Sequence, residues 1–291
     1  GCAEKVWTLS RTPHQFCTGD SRTALKRTTM STPNITHITS RDNTLLKELR
    51  KLSTDSTAYR KQGQVWLEGD HLCRAAIERG VKPVMAVFLE SFWPIAVEYI
   101  AYDAIKNIVI KNFTIADKLW PEISSLESPA KMGFVIDLPT SIGIQASVPT
   151  VILDRVQDAG NVGSILRSAA AFGFKQVVAL KGTAALWSPK VLRAGMGAHF
   201  ALQLFESATV DDLAVLKIPL VVTSSHQGDF LQTVKLPTPC AWVMGHEGQG
   251  VCSELLSRAA VSVRIGQPGG EESLNVAAAA AICLHASSVQ N

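Results

Sequence analysis

The sequence predicts an α/β protein in which a mainly parallel sheet forms the C-terminal domain and a smaller α/β domain precedes it. From residue 150 to residue 291, short apolar runs alternate with segments of helical periodicity, which is typical of a parallel sheet covered on both faces. Residues 139–149, with two prolines, a glycine and no charged residue, indicate a linker. A chain of 291 residues is long enough for two such domains.

The first 38 residues are predicted to be a disordered leader, because they are rich in Thr, Ser and Arg and show neither helical nor strand periodicity. Residues 39–138 are predicted to form the smaller domain, in which apolar spacing and glycines mark the ends of the elements. Its predicted helices are 43–52 and 71–79, and its predicted strands are 64–68, 84–89, 108–110 and 133–137.

A basic segment coincides with the first predicted helix and the residues that follow it. Between residues 41 and 61, six basic residues stand against three acidic ones. A solvated helix face and an RNA-facing patch explain this cluster equally well. The basic residues are Arg41, Lys47, Arg50, Lys51, Arg60 and Lys61.

The C-terminal domain, residues 150–291, alternates strand and helix throughout. Apolar runs rich in Val, Ile and Leu predict the strands, a proline at position 189 suits a helix start, and five consecutive alanines favour a helix after Asn275. The predicted strands are 151–154, 176–180, 201–205, 220–223, 241–244 and 261–265, and the predicted helices before the alanine-rich one are 162–172, 189–194, 211–216 and 253–260.

Composition excludes several classes of protein. No apolar run reaches the length of about 18 residues that a membrane span needs, and the N-terminus lacks the order of a secretory signal, so we expect a cytoplasmic protein without a membrane partner. The six cysteines include no C-x-x-C pair, and the pair His246-Glu247 has Gly250 where a second zinc-binding histidine would stand, so we expect no metal. Residues 1–29 account for the whole net charge of +3, which therefore says little about nucleic-acid partners.

Three segments of the C-terminal domain carry polar residues where simple turns would suffice. In the first, residues 153–174, Asn161 is predicted to cap a helix and Arg167 follows nearly two turns later. A cap plus a surface arginine is the simpler interpretation. The fingerprint G-x-G-x-x-G of dinucleotide-binding folds is absent.

The second segment, VMGHEGQGV at residues 243–251, directly follows an apolar strand. Its glycines let a ligand approach the main chain, and strand ends are where open α/β sheets bind ligands. Glu247 is either a functional carboxylate or an exposed turn residue. In the third segment, GQPGGEESLNVAAAAA at residues 266–281, Ser273 or Asn275 is predicted to cap the last helix, and the alanines are expected to let that helix pack closely.

Taken together, N-x-G-x-x-x-R at 161–167, G-x-E-G-x-G at 245–250 and E-S-L-N at 272–275 resemble the three motifs of the SpoU (TrmH-type) RNA ribose 2′-O-methyltransferases. The resemblance covers roughly residues 151–288 and implies a SPOUT fold, a parallel sheet whose C-terminal segment forms a deep trefoil knot. The earlier segment YRKQGQVWLEGDHL resembles the ribosomal-protein-like RNA-binding domain that many large-subunit rRNA members carry.

The resemblance also implies the site. Its catalytic residues would be Asn161, Arg167, Glu247, Ser273 and Asn275, and S-adenosyl-L-methionine would bind beside Met244, Gly245, Gly250, Ile265 and Leu274. Because a neutral guanidine is scarce, we expect Arg167 to steady an alkoxide or a phosphate rather than to act as the base. Glu247 would orient Arg167 or Asn161, and the other polar residues would position the ribose.

The family is typically a homodimer in which one subunit completes the pocket of the other. The implied reaction is methylation of a ribose 2′-hydroxyl, with 23S rRNA as the expected substrate. A tRNA ribose methyltransferase, a resistance enzyme that methylates one rRNA nucleotide, and an RNA-binding assembly factor without activity are the alternatives. The first domain favours an rRNA substrate, because compact tRNA members usually lack it.

Overall fold

Two β-sheets organise the part of the chain that the structure, a computed structural model, describes: residues 35–99, 111–124, 126–224, 228–269 and 273–290. The first sheet has five strands in the order β1-β4-β3-β5-β2, and β5 alone runs antiparallel to its neighbours. These strands are β1 (Ile35–Ile38), β2 (Gln64–Glu68), β3 (Met85–Leu89), β4 (Lys111–Ile115) and β5 (Met132–Asp137).

In the described residues, four helices accompany the first sheet. The side chain of Asn43 caps the first of them by accepting hydrogen bonds from the N–H groups of Leu45 and Leu46. The side chains of Leu46 and Leu49 are fully buried, as their helical spacing predicts. The helices are α1 (Thr44–Thr54), α2 (Ala58–Gln62), α3 (Asp70–Glu78) and α4 (Trp93–Tyr99). We call this half, β1–β5 with α1–α4, the first-sheet module.

The prediction of disorder through residue 38 is wrong for Ile35–Ile38. This segment pairs in parallel with Lys111–Ile115 of β4, and Ile38 is buried at 2% exposure. The strand depends on a partner more than 70 residues away, so its own short polar alternation does not reveal it. Residues 1–34 and the predicted strand at 108–110 lie outside the described residues.

The second sheet has seven strands, all parallel, in the order β10-β12-β9-β11-β6-β7-β8. This arrangement confirms the predicted mixed α/β architecture with a parallel sheet; the trefoil knot stays a prediction. The strands are β6 (Thr150–Leu153), β7 (Gln176–Leu180), β8 (Gln203–Ala208), β9 (Leu220–Thr223), β10 (Asp229–Phe230), β11 (Ala241–Met244) and β12 (Val261–Arg264).

Within the described ranges, four helices and two 3₁₀ turns accompany this sheet. The predicted helix at 211–216 is a 3₁₀ turn, Asp211–Val215, and the predicted strand at 201–205 starts later because a 3₁₀ turn occupies Ala198–Ala201. The helices are α5 (Ala159–Ala171), α6 (Pro189–Gly195), α7 (Ser253–Arg258) and α8 (Val276–Val289). We call β6–β12 with α5–α8 the second-sheet module.

The alanine-rich helix α8 packs closely in only part of its length. Ala280 is wholly buried, and Trp242 of β11 donates a hydrogen bond to the hydroxyl of Ser287, 2.7 Å away. Ala278, however, is exposed, so the expectation of close packing is wrong for Ala278 within a single chain. No helix in the described ranges is long and apolar enough to cross a membrane.

Candidate active site

The three polar segments meet at one edge of the second sheet. β6 ends at Leu153, its neighbour β11 ends at Met244, and β12 ends at Arg264. Because these strands are parallel, their carboxyl ends lie along the same edge, where open α/β sheets bind ligands. The sequence after each of the three strands is one of the three segments.

Helix α5 begins earlier than the sequence indicates. Asp158, in an extended conformation, is its N-cap, and the carboxylate of Asp158 accepts a hydrogen bond of 2.8 Å from the N–H of Asn161. The prediction of Asn161 as the cap is therefore wrong, because an aspartate one turn earlier already satisfies the helix start. The side-chain amide of Asn161 is left to contact other segments.

A line of hydrogen bonds joins one polar residue from each segment. Asn161 donates from Nδ2 to Oε1 of Glu247 at 3.3 Å, and Asn275 donates from Nδ2 to Oδ1 of Asn161 at 2.9 Å. Asn275 also caps α8, because its Oδ1 accepts hydrogen bonds from the N–H groups of Ala277 and Ala278. The orientation of the Asn161 amide is thus set from both ends. We call these residues the Glu247–Asn161–Asn275 line.

Glu247 lies against the chain that leads into α5. Its two carboxylate oxygens accept hydrogen bonds from the main-chain N–H groups of Gln157 (3.2 Å) and Asp158 (3.0 Å). Partial burial acts to raise the pKa of Glu247, but these bonds, with the one from Asn161, outweigh it and lower that pKa below its ordinary value. Glu247 is therefore a charged acceptor near neutral pH.

Arg167 and Ser273 are not part of this line within one chain. Both side chains are exposed, and neither makes a hydrogen bond or ion pair within the described parts of the chain. Of the two residues that Glu247 was expected to orient, it therefore binds Asn161 and makes no hydrogen bond or ion pair with Arg167. Glu272, the first residue of the third motif, lies outside the described residues.

The five residues expected to hold a cofactor differ in exposure. Met244 and Gly245 are buried, Ile265 is half-buried, and Leu274 is 39% exposed. A Cβ on Gly245 would lie 2.4 Å from the carbonyl carbon of Gly250, so only glycine permits the loop to fold back on itself there. Gly250 is exposed and has φ +66°, a conformation that favours glycine.

The loop after β11 is held by its own main chain. His246 and Gly250 exchange two main-chain hydrogen bonds of 3.1 and 2.9 Å. The ring nitrogen Nδ1 of His246 also accepts hydrogen bonds from the N–H groups of Gly248 and Gln249. These contacts give the glycine-rich segment a fixed shape, in which the ring of His246 takes part.

A second set of hydrogen bonds supports this loop, and the sequence does not indicate it. Asp154, 1% exposed at the end of β6, accepts hydrogen bonds from Nε of Arg155 (2.8 Å) and from the N–H of Cys252 (2.7 Å). Arg155 in turn donates from Nη1 to Oε1 of Gln249 at 2.8 Å, and its φ is +59°. A buried carboxylate and an adjacent arginine thus fasten the glycine-rich loop; the motif letters D-R alone do not indicate this.

The basic segment of the first-sheet module is largely paired with carboxylates. Arg41 and Arg50 both contact Glu122, Lys47 contacts Asp42, and Arg60 contacts Glu206. These pairs reduce the positive charge that the segment offers to RNA. Within the described residues, Lys51 and Lys61 make no such pair.

The second-sheet module matches a known protein family. Residues 149–285 match the model of the SpoU rRNA Methylase family. The chain is 28% identical over 252 residues to the 23S rRNA (guanosine(2553)-2′-O)-methyltransferase RlmP of Bacillus subtilis, covering 85% of this chain and 97% of that protein. It is 38% identical over 170 residues to the mitochondrial rRNA methyltransferase 3A of Danio rerio, covering 55% and 38% of the two chains.

Solved structures share the fold over most of the chain. The AdoMet-bound rRNA methyltransferase from Sinorhizobium meliloti superposes with a TM-score of 0.75 at 26% identity, covering 87% of this chain and 97% of that one. The match therefore includes the first-sheet module as well as the second. Residues 149–285, which carry all three motifs, form a domain of the SpoU rRNA Methylase family.

Proposed function

We propose that this chain is an S-adenosyl-L-methionine-dependent RNA methyltransferase that methylates a ribose 2′-hydroxyl, with 23S rRNA as the substrate. The observation that carries the proposal is the Glu247–Asn161–Asn275 line, which joins the three family motifs at the carboxyl edge of the parallel sheet. The Bacillus and Sinorhizobium proteins align with this chain over nearly their whole length, and both are named as rRNA methyltransferases. A tRNA substrate is less favoured for that reason.

The edge of the sheet fits a polar cofactor. Nε of Arg264, the last residue of β12, and Oε1 of Gln267, three residues later, are buried without a hydrogen-bond partner in the described ranges. The neighbouring loop is exposed from Glu247 to Gly250. Met244, Gly245, Gly250, Ile265 and Leu274 would hold S-adenosyl-L-methionine, which supplies an electrophilic methyl group when bound.

The residues of this chain would orient the ribose and carry the charge that develops on its oxygen. The Asn161 amide, fixed from both sides, would hold the hydroxyl in line with the methyl group, with Ser273 nearby. Arg167 would stabilise the forming alkoxide or an adjacent phosphate as a permanent cation. Glu247 would act as the anchor of Asn161 and not as the proton acceptor, because its oxygens already accept three hydrogen bonds.

A homodimer would bring Arg167 to the site. The exposed side of α8 carries Ala278, Ile282 (42% exposed) and Val289 (64% exposed) together with His285. Helix α8 packs beside α5, which carries Arg167 on its own exposed side. Pairing of two such surfaces would bury the apolar side chains of α8 and place Arg167 against a second chain. Within the described ranges Arg167 makes no hydrogen bond or ion pair, which supports this arrangement. A cytoplasmic location, with access to ribosomal RNA, completes the proposal.

A transfer assay tests the proposed function. The purified chain is incubated with methyl-labelled S-adenosyl-L-methionine and either total 23S rRNA, 16S rRNA or tRNA, and the labelled nucleotide is analysed after digestion. We expect label on a ribose of 23S rRNA. Label on tRNA alone would support the alternative enzyme, and cofactor binding without transfer to any RNA would support an assembly factor.

A further inference from the structure

The first-sheet and second-sheet modules are joined by a cluster of partly buried polar contacts around Glu206 of β8. The carboxylate of Glu206 accepts hydrogen bonds from the hydroxyl of Tyr59 at 2.6 Å and from Nη2 of Arg60 at 3.0 Å, both of α2. It also accepts the main-chain N–H of Leu186 at 2.7 Å. One carboxylate with a side-chain exposure of 18% thus binds residues of both modules.

The protonation state of these groups keeps the cluster intact near neutral pH. Burial and the charge of Glu206 raise the pKa of Tyr59, so its hydroxyl stays protonated and donates. Charge-assisted hydrogen bonds of this kind, from a phenol and a guanidinium to one carboxylate, are shorter and stronger than neutral ones. Removing one member would leave the others partly unpaired in a half-buried place.

The contact extends beyond the cluster. A Cβ on Gly197, in the turn after α6, would lie 2.5 Å from the Cβ of Ala75 of α3, so the two modules approach closely there. Helix α6 also contacts α1 and β2. One continuous buried cluster of apolar side chains includes residues of both sheets. The modules therefore share a packed interface rather than a flexible tether alone.

Glu206 takes no part in the site at the carboxyl ends of β6, β11 and β12. The motifs do not include it, and its partners Tyr59 and Arg60 lie in the segment YRKQGQVWLEGDHL that resembles an RNA-binding domain. Because Glu206 binds this segment to the second-sheet module, it fixes the position at which an RNA held by the first-sheet module reaches the second-sheet module. An RNA bound by both modules gains from a fixed separation, because the second contact then forms at a high effective concentration.

We propose that Glu206, through Tyr59 and Arg60, is a positioning residue that fixes the first-sheet module on the second-sheet module so that one RNA is held by both. This inference rests on the proposed function, because it assigns RNA to the first-sheet module. Glu206 acts through the geometry of the interface and touches neither the cofactor nor the reacting ribose.

The test compares three variants of the full chain. Glu206→Gln removes the charge at nearly constant shape, Tyr59→Phe removes a single hydroxyl and is the milder change, and Glu254→Gln is a control that breaks an exposed ion pair with Arg258 inside α7. For each we measure KM for 23S rRNA, kcat, and cofactor affinity by calorimetry. A short RNA that reaches only the active site is assayed in parallel.

We expect KM for 23S rRNA to rise about tenfold or more in Glu206→Gln and several-fold in Tyr59→Phe, because the effective concentration of the second contact falls. We expect kcat at saturating RNA, cofactor affinity, and activity on the short RNA to stay unchanged, and the control to match the wild type. An unchanged KM in the Tyr59→Phe variant, or an equal loss of cofactor affinity, would overturn the proposal.

Small-angle X-ray scattering separates this proposal from the proposed function. If the wild type transfers no methyl group to any RNA, the proposed function fails, and the scattering still decides whether Glu206 fixes the modules. Glu206→Gln should then show a larger radius of gyration than the wild type and the Glu254→Gln control. Identical scattering curves for all three would overturn the positioning role.

Discussion

Asn275, the cap of α8, donates a hydrogen bond from Nδ2 to Oδ1 of Asn161 in the first turn of α5, and the two atoms lie 2.9 Å apart. The starts of two helices that are more than 100 residues apart in the sequence are thereby joined beside the carboxyl edge of the sheet. The side-chain oxygen of Asn275 caps the helix, whereas its side-chain nitrogen makes the hydrogen bond to the site. Helix stability and site geometry can therefore be separated by substitution.

Asn275→Asp should abolish most activity while leaving the fold almost as stable as the wild type. Aspartate caps a helix as well as asparagine does, but it cannot donate to Asn161 and places a charge against its oxygen. We expect kcat to fall by about 100-fold, the order that a misplaced reacting group costs. Thermal unfolding and a methyl-transfer assay on the same preparation measure both effects.

Asn43→Ala is the matched control, because Asn43 caps α1 in the same way and lies outside the site. We expect it to lose about 1 kcal/mol of stability with activity retained. If Asn275→Asp keeps normal turnover, the hydrogen bond to Asn161 has no role in the reaction.

Arg155→Ala should weaken cofactor binding more than it weakens the fold. Without the guanidinium, Gln249 loses its partner and Asp154 keeps only its main-chain contact with Cys252. The glycine-rich loop then loses conformational entropy when the cofactor binds. We therefore expect Kd for S-adenosyl-L-methionine to rise about tenfold. Calorimetry measures it, with Arg258→Ala as the control at an exposed pair. Equal affinities of the two variants would show that Arg155 does not support the loop.

The contribution of Glu247 to stability should disappear in acid. Folding lowers the pKa of Glu247 below its ordinary 4.5, so the charged form is favoured by the folded chain. This contribution is fully present above that value and is lost as the pH falls through the lowered pKa. Glu247→Gln should therefore melt below the wild type by a constant margin down to about pH 5, and the margin should narrow at lower pH.

Melting temperatures between pH 7 and pH 3.5 measure this margin. Glu48→Gln, a change of an exposed α1 residue that makes no hydrogen bond in the described part of the chain, should follow the wild type at every pH. A margin that persists unchanged to the lowest pH would refute the role of the Glu247 charge.

Arg167 should act on the site of a second chain. Co-expression of Arg167→Ala with Asn161→Ala yields mixed dimers in which one site keeps both wild-type residues, although each variant alone is inactive. With random pairing we expect about a quarter of the wild-type activity. No recovery in a preparation shown by sedimentation to contain mixed dimers would place Arg167 in the site of its own chain.

The sequence predicts most of the architecture because apolar periodicity reports burial directly. The strands at 176–180, 220–223 and 241–244 and the helix that starts at Pro189 agree with the structure. β1 is not predictable in this way, because the pairing of Ile35–Ile38 with a distant strand creates it. Helix boundaries are also uncertain where two good capping residues, such as Asp158 and Asn161, lie within one turn.

The candidate site likewise contains residues that the sequence indicates and residues that only the fold reveals. The motif spacing indicates Asn161, Glu247 and Asn275, and in the structure these three side chains are joined by hydrogen bonds. The role of Asp154 and Arg155 depends on the burial of one carboxylate and on a positive φ, which only the folded loop after β11 brings about. In the proposed homodimer the place of Arg167 would depend on a second chain, which no pattern within one sequence specifies.

The most direct test of the central claim is a map of ribose 2′-O-methylation on the 23S rRNA of cells that lack the gene. We predict that one methylated nucleotide is lost, that the wild-type gene restores it, and that Asn161→Ala does not, because the Glu247–Asn161–Asn275 line is broken. A map identical in the presence and absence of the gene, or full restoration by Asn161→Ala, would contradict the account.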